Sequence, residues 1–247
     1  MRFRFCDFFT EKLKACFSPY FSVIMPTYNR VDLLPKSVGS VLVQTYQNFE
    51  LIITDDGSTD GTKEYITKNY AQELKSGKIK YIYKENSGVC KTRNAGLKAA
   101  RNPWIAYVDS DNEITTDFLE IFANAILQNP KNKLFYAKAI RLSNQKFIGK
   151  EFDYNNLIQK NFIDLGTFVH HRCLYDKLGG FDENMTRLVD WELVIRYVKE
   201  NPVHFINKVV LLYNDINDHT RISNTEDRNK NLVYMYNKHN IEIGNKL

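Results

Sequence analysis

Short apolar runs recur along the first half of the chain, each followed by a stretch of helical periodicity. Phe21 to Met25, Leu51 to Thr54, Ile79 to Tyr83 and Trp104 to Val108 read as buried strands. Helical patterns over about Val31 to Gln44, Asp60 to Leu74 and Val89 to Ala100 separate them. This βαβαβαβ order predicts an α/β fold with a Rossmann-like, mostly parallel, doubly wound central sheet flanked by helices. After Asp111 the regularity weakens. A helix over about Thr116 to Gln128 stops before Pro130, and Leu134 to Ile140 reads as a strand. An irregular strand is expected over Asp164 to His171, then a short helix from Arg172 to Leu178 closed by Gly179-Gly180. A further helix runs from about Asp190 to Glu200, ahead of Pro202. Ser223-Asn224-Thr225-Glu226 forms a capping box that opens a terminal helix carrying Leu232, Val233, Met235 and Tyr236.

Composition narrows the class without deciding it. At 247 residues, 43% hydrophobic and 26% charged, the chain is ordinary for a globular domain with a sizeable core. A net charge of +5 suits anionic small molecules or an anionic membrane face and does not indicate nucleic acid. Cys6, Cys16, Cys90 and Cys173 form no Cys-x-x-Cys pair, so a reducing cytoplasm is the expected compartment. No apolar stretch approaches the ~20 residues of a membrane span. The first twenty residues differ in texture: Phe5, Phe9 and Leu13 recur at helical spacing among Arg2, Arg4, Lys12 and Lys14. Asp7 and Glu11 rule against a signal peptide. Such a basic amphipathic segment suits peripheral contact with the cytoplasmic face of an inner membrane, and equally a helix docked on its own domain.

The chemistry concentrates where the strands end. Trp104 to Val108 delivers Asp109-Ser110-Asp111, two carboxylates one residue apart, at the edge of an open α/β sheet where ligands bind. Hard oxygen ligands at such a place suit Mg²⁺ or Mn²⁺ shared with phosphates. The first strand runs into Pro26-Thr27-Tyr28-Asn29, which offers hydroxyls, an amide and a ring for stacking. The second ends in Asp55-Asp56-Gly57-Ser58, where one acid can accept from a base imide or a ribose hydroxyl. Asn86-Ser87-Gly88 opens the third helix; it can present an N-terminus to an anion, with Lys91 and Arg93 nearby. Each loop alone has a complete account as turn or cap. Their convergence at one edge carries the functional reading.

Val23-Ile24-Met25-Pro26-Thr27-Tyr28-Asn29-Arg30, Asp55-Asp56-Gly57-Ser58-Thr59-Asp60, Asn86-Ser87-Gly88 through Arg93-Asn94-Ala95-Gly96, and Asp109-Ser110-Asp111 resemble family 2 glycosyltransferases of the GT-A fold. The resemblance spans about Phe21 to Asn112 and continues more weakly to His219. It implies an inverting enzyme of surface-polysaccharide or lipopolysaccharide type. Such an enzyme takes a nucleotide sugar, commonly a UDP-sugar, with Mn²⁺ or Mg²⁺, and a glycan or lipid-linked acceptor. By resemblance Thr27, Tyr28 and Asp56 would hold the uridine, Asp109 the ribose and Asp111 the metal. Pro26 is counted with the nucleotide-binding residues, as are Lys91 and Arg93, which stand near for a diphosphate or base. Residues 21–112 would then be the nucleotide-sugar half, 113–222 a smaller mixed acceptor and catalytic half, and 223–247 a terminal helix.

The family carries Glu-Asp at the start of its catalytic helix; here Val189 precedes Asp190, so only the Asp matches. Asp190 is the expected base, with Glu192 the alternative on another helix face. By a weaker resemblance His219 would approach the metal. His170 and His171, adjacent on a strand, face opposite sides and do not form a paired metal site. A dehydrogenase is excluded by the missing Gly-x-Gly-x-x-Gly after the first strand. A sugar-nucleotide pyrophosphorylase stays an alternative although the chain shows no Gly-rich basic loop after the first strand, and so does a non-catalytic nucleotide-sugar-binding module, because of Val189.

Overall fold

The structure is a computed structural model that describes residues 18–216 and 227–242. Strands β1 (Phe21–Thr27), β2 (Phe49–Asp55), β3 (Ile79–Tyr83) and β4 (Trp104–Tyr107) stand where the apolar runs predict them. Helices α1 (Leu34–Leu42) and α4 (Val89–Ala99) lie between them as expected, whereas the second helical pattern breaks at Tyr70 into α2 (Thr62–Asn69) and α3 (Ala71–Ser76). Then come β5 (Glu113–Ile114), α5 (Phe118–Gln128), β6 (Leu134–Arg141), β7 (Phe147–Ile148) and α6 (Tyr154–Leu157). The chain closes with β8 (Phe168–His171), α7 (Arg172–Leu178), α8 (Val189–Val198), β9 (Val203–Tyr213) and α9 (Arg228–His239).

The strands form a single sheet in the order β3-β2-β1-β4-β8-β6-β9-β5, with β7 on β6. The first four are mutually parallel; β8 runs antiparallel to β4 and to β6. The doubly wound first half therefore continues into a mixed second half. All seven positions of β1 are buried because helices cover both faces. Val23 and Met25 pack with α1 and α5, and Ile24 with Leu97, Tyr107 and the α8 side. Pro26 sits inside this central strand without breaking it. Its β4-facing side lies beyond the end of the β1–β4 ladder at Ile24↔Tyr107, so no partner misses its N–H.

β9 is absent from the sequence reading, although it is the longest strand of the sheet. Asn207 and Lys208 interrupt its alternation, and its register against β6 shifts at Tyr136/Lys138 and again at Lys138/Ala139. The irregular strand expected over Asp164–His171 begins as a 3-10 turn at Leu165–Thr167 before β8 proper. Helix α9 opens on Asp227, whose carboxylate accepts from Asn229 N and Lys230 N. The capping box at 223–226, the amphipathic segment up to residue 17 and His219 lie outside the described residues. Among the described residues no helix is long and apolar enough to cross a membrane.

Candidate active site

The loops after β1 and β2 are laced into one surface. Asn29, in the left-handed region at φ 49°, accepts from Thr59 N through Oδ1 at 2.8 Å and donates its own N–H to Ser58 Oγ at 2.8 Å. Thr27 Oγ1 beside it is buried without a partner, and the Tyr28 ring stands half exposed at the rim.

The two acids ending β2 have separate tasks. Asp55 accepts from Ser58 N at 2.8 Å and from the Tyr81 hydroxyl, which ties it to the sheet. Asp56 accepts from Ser87 N at 3.0 Å, Gly88 N at 2.9 Å and the Lys84 ammonium. Burial pushes the Asp56 carboxyl up, but Lys84 and the Ser87 N–H outweigh it and hold it below the usual range. The anion at the start of α4 is thus Asp56 itself. Its Oδ2 has one partner, Gly88 N–H, and keeps acceptor capacity toward the rim. Gly57 makes this possible: at φ +84° a Cβ would meet Asn86 N at 2.9 Å and push the 84–88 loop off Asp56.

At the end of β4 the chain turns through Asp109–Asn112, closed by Asn112 N on Asp109 O at 3.0 Å. Arg93 reaches across from α4 and donates to Asp109 Oδ1 at 2.7 Å. Burial opposes the guanidinium's charge, yet Asp109 holds it protonated. Arg30, from the loop after β1, donates to Asp111 Oδ2 at 3.3 Å. Helix α4 comes this close to the sheet because Gly96 has no Cβ; one would sit 2.5 Å from Ile24 Cγ2. Lys91, one position away from the buried helix face, is exposed and lines a cleft of about 640 Å³ with Lys98, Asp176 and Glu183. The structure does not bring it among the strand-end carboxylates.

Asp190 opens α8 and faces the same cluster. Burial raises its carboxyl, while the Trp191 N–H and Arg93 restrain the rise. Asp164, at the start of the 3-10 turn, is a third carboxylate there; burial and then Asp109 push it up to about 7. Glu192 turns away into the protein. It is fully buried under Arg196, Lys238 and His239, at 2.9 to 3.1 Å, and despite burial those donors hold it well below the usual range. His170 is buried: its Nδ1–H donates to His171 O at 3.1 Å and Nε2 accepts from Tyr107. Desolvation lowers it to about 4, so it is neutral. His171 faces Trp104 instead and caps α7, so the two rings part as their strand positions require. Sequence reading missed Lys84, Asn161 and Asp164, and named Arg30 without giving it a task. The signal for Lys84 was a cation one residue past a strand beside two acids.

The sequence profile of glycosyl transferase family 2 matches residues 22–177. The chain belongs to this family. This family member is 31% identical to the UDP-Glc:alpha-D-GlcNAc-diphosphoundecaprenol beta-1,3-glucosyltransferase WfgD of Escherichia coli, over 75% of this chain and 72% of that one. Against four Rickettsia glycosyltransferases it spans only 20% to 64% of their length. TarS of S. aureus in complex with UDP-GlcNAc superposes with a TM-score of 0.73 at 21% identity, covering 87% of this chain and 64% of TarS. The mannosyltransferase PcManGT of Pyrobaculum calidifontis, solved with GDP-Man and Mn²⁺, gives 0.69 at 19% identity, covering 92% and 66%. These likenesses show the fold: the GT-A arrangement that the motifs imply, with helices about a mostly parallel sheet.

Proposed function

We propose that the chain moves a sugar from a nucleoside diphosphate donor, a UDP-sugar, to a hydroxyl of a glycan or lipid-linked acceptor, with inversion and with a divalent metal. The observation that carries this is the meeting of Asp56, Arg93, Asp109, Asp111 and Asp190 at one edge of the sheet. That edge is the carboxyl end of the parallel strands, where the order turns from β1 to β4. The relative WfgD is named for a UDP-Glc donor and a diphosphoundecaprenol acceptor, which supports the class of both substrates.

In this reading the orphaned Thr27 hydroxyl, the Tyr28 ring and Asp56 Oδ2 hold the uracil, and Asp109, steadied by Arg93, holds the ribose. Among the described residues no group of three or more His, Cys, Asp or Glu side chains is arranged to hold a metal ion by itself. Asp111 nonetheless fits a Mg²⁺ or Mn²⁺ ion, since such ions take one or two carboxylates and complete their shell with phosphate oxygens and water. A bound metal supplies positive charge to the diphosphate leaving group. Asp190 accepts the proton of the acceptor hydroxyl as its oxygen attacks the anomeric carbon, and one displacement inverts that centre. Glu192 is unsuited to the role, since four hydrogen bonds already hold its carboxylate.

The test is acceptor-dependent release of UDP from UDP-sugars with Mn²⁺. Asp190→Asn is expected to lose roughly 10²–10⁴-fold in kcat while binding UDP as before. Wild-type turnover in that variant removes Asp190 from the chemistry. UDP binding without any turnover favours the non-catalytic module.

A further inference from the structure

We propose that Asn161 is a positioning residue: its side-chain amide aims the Asp190 carboxylate. The role for Asp190 rests on the reading above; the contact between the two residues does not. Asn161 Nδ2 donates to Asp190 Oδ2 at 3.1 Å, and Asn161 Oδ1 accepts from Ile163 N at 3.1 Å. The amide has only this orientation. Reversed, it would set its NH₂ against a backbone N–H and its carbonyl against a carboxylate.

The segment that carries Asn161 is itself fixed. Phe162, Ile163 and Leu165 are buried in the core on the α8 side. A second tie joins it to α8, where Trp191 Nε1 donates to Leu157 O at 2.8 Å. Asn161 thus stands on a rigid support one hydrogen bond from the carboxylate, which is what holding a rotamer in place requires. Helix α8 has no side-chain cap: Leu188 at its start is in the left-handed region at φ 62°. The Asp190 carboxylate meets the Trp191 N–H of its own first turn, and Asn161 is the side-chain donor that reaches it from another segment. With Oδ2 tied to Asn161, the plane of the group is set and Oδ1 is directed away from that tie. The charged groups facing it are Arg93 from α4, Asp109 from the end of β4 and Asp164 from the 3-10 turn.

A hydrogen bond to the ionised form lowers the pKa of a carboxyl, so loss of the Asn161 donor raises that of Asp190. Two variants separate aiming from loop support. Asn161→Ala removes both contacts. Asn161→Asp keeps an oxygen for Ile163 N–H but replaces the donor with a second carboxylate. The measurement is a pH titration of the full chain labelled with ¹³C at the aspartate carboxyls, the Asp190 signal being the one lost in Asp190→Asn. Asn161→Ala is expected to raise the Asp190 midpoint by about one pH unit, and Asn161→Asp by more, with a melting temperature that drops at neutral pH and recovers at lower pH as the carboxylate pair takes up a proton. A midpoint unchanged in Asn161→Asp overturns the inference and leaves Asn161 a loop residue. Turnover distinguishes this from failure of the functional reading. If Asp190→Asn is inactive and Asn161→Asp retains wild-type kcat, the positioning role is wrong. If Asp190→Asn is fully active, the base is wrong, whatever the titration shows.

Discussion

Arg93 Nη2 stands 2.7 Å from Asp109 Oδ1, and this contact fastens the helix after β3 to the end of β4. The same guanidinium faces Asp164 and Asp190, so one buried cation serves three carboxylates drawn from three separate elements. It is the electrostatic centre of the site.

Arg93→Met should therefore act on stability and binding together. It keeps the packed stem and removes the charge. Removing one partner of a buried pair typically costs ~3–5 kcal/mol. Asp109 is one-third exposed, so about 2–3 kcal/mol is expected here. Urea unfolding at pH 7 measures it, and UDP calorimetry should show weakened binding in the same variant. A stability change under about 0.5 kcal/mol would mean that the cluster is not held by this charge.

Glu192→Gln should behave as a stability variant and not as a catalytic one. The folded carboxyl lies well below the unfolded value because His239, Arg196 and Lys238 overcome burial. A depressed carboxyl contributes stability above the unfolded pKa and loses it as pH falls toward the folded one. Wild type should thus weaken from about pH 5 downward more steeply than Glu192→Gln. Unfolding at pH 7 and pH 4 gives the comparison, while kcat per folded molecule stays near wild type. A dead but stable Glu192→Gln would move the base to Glu192.

Much of this was legible in the sequence, for reasons that particular residues make plain. Strands β1, β2 and β4 are buried along their whole length, so they read as apolar runs, while the edge strand β3 is partly exposed; the ends of β2 and β4 carry Asp56, Asp109 and Asp111 in order. The second half is harder because its contacts are non-local. β9 is held by pairing with β6 through a bulge and with the short β5, and Asn161 matters because it meets Asp190, 29 positions away. Asp190 and Glu192 were separable by helix geometry. What fixed their different characters, the Lys238 and His239 pair on α9, is invisible without the fold.

Asp164 sets an opposite pH dependence. Its folded pKa is about 7, against roughly 4 in an unfolded chain. Between those values the folded state holds more protons, so its stability falls as pH rises. Asp164→Asn keeps an oxygen for Gly166 N and carries no charge, so it escapes that loss. Its melting temperature should gain on wild type between pH 5 and pH 8, by roughly 3 °C or more. Parallel curves for the two proteins would show that Asp164 is ionised throughout.

The claim that the strand-end carboxylates form a nucleoside diphosphate site with a metal at Asp111 is tested most directly by calorimetric titration of UDP, with and without Mn²⁺. Wild type should bind UDP at least about tenfold more tightly when Mn²⁺ is present, a coupling of ~1.4 kcal/mol. Asp111→Asn should lose that enhancement while keeping the metal-free affinity and the fold. UDP affinity that is the same with and without Mn²⁺ in wild type, or an enhancement that survives in Asp111→Asn, would contradict the account.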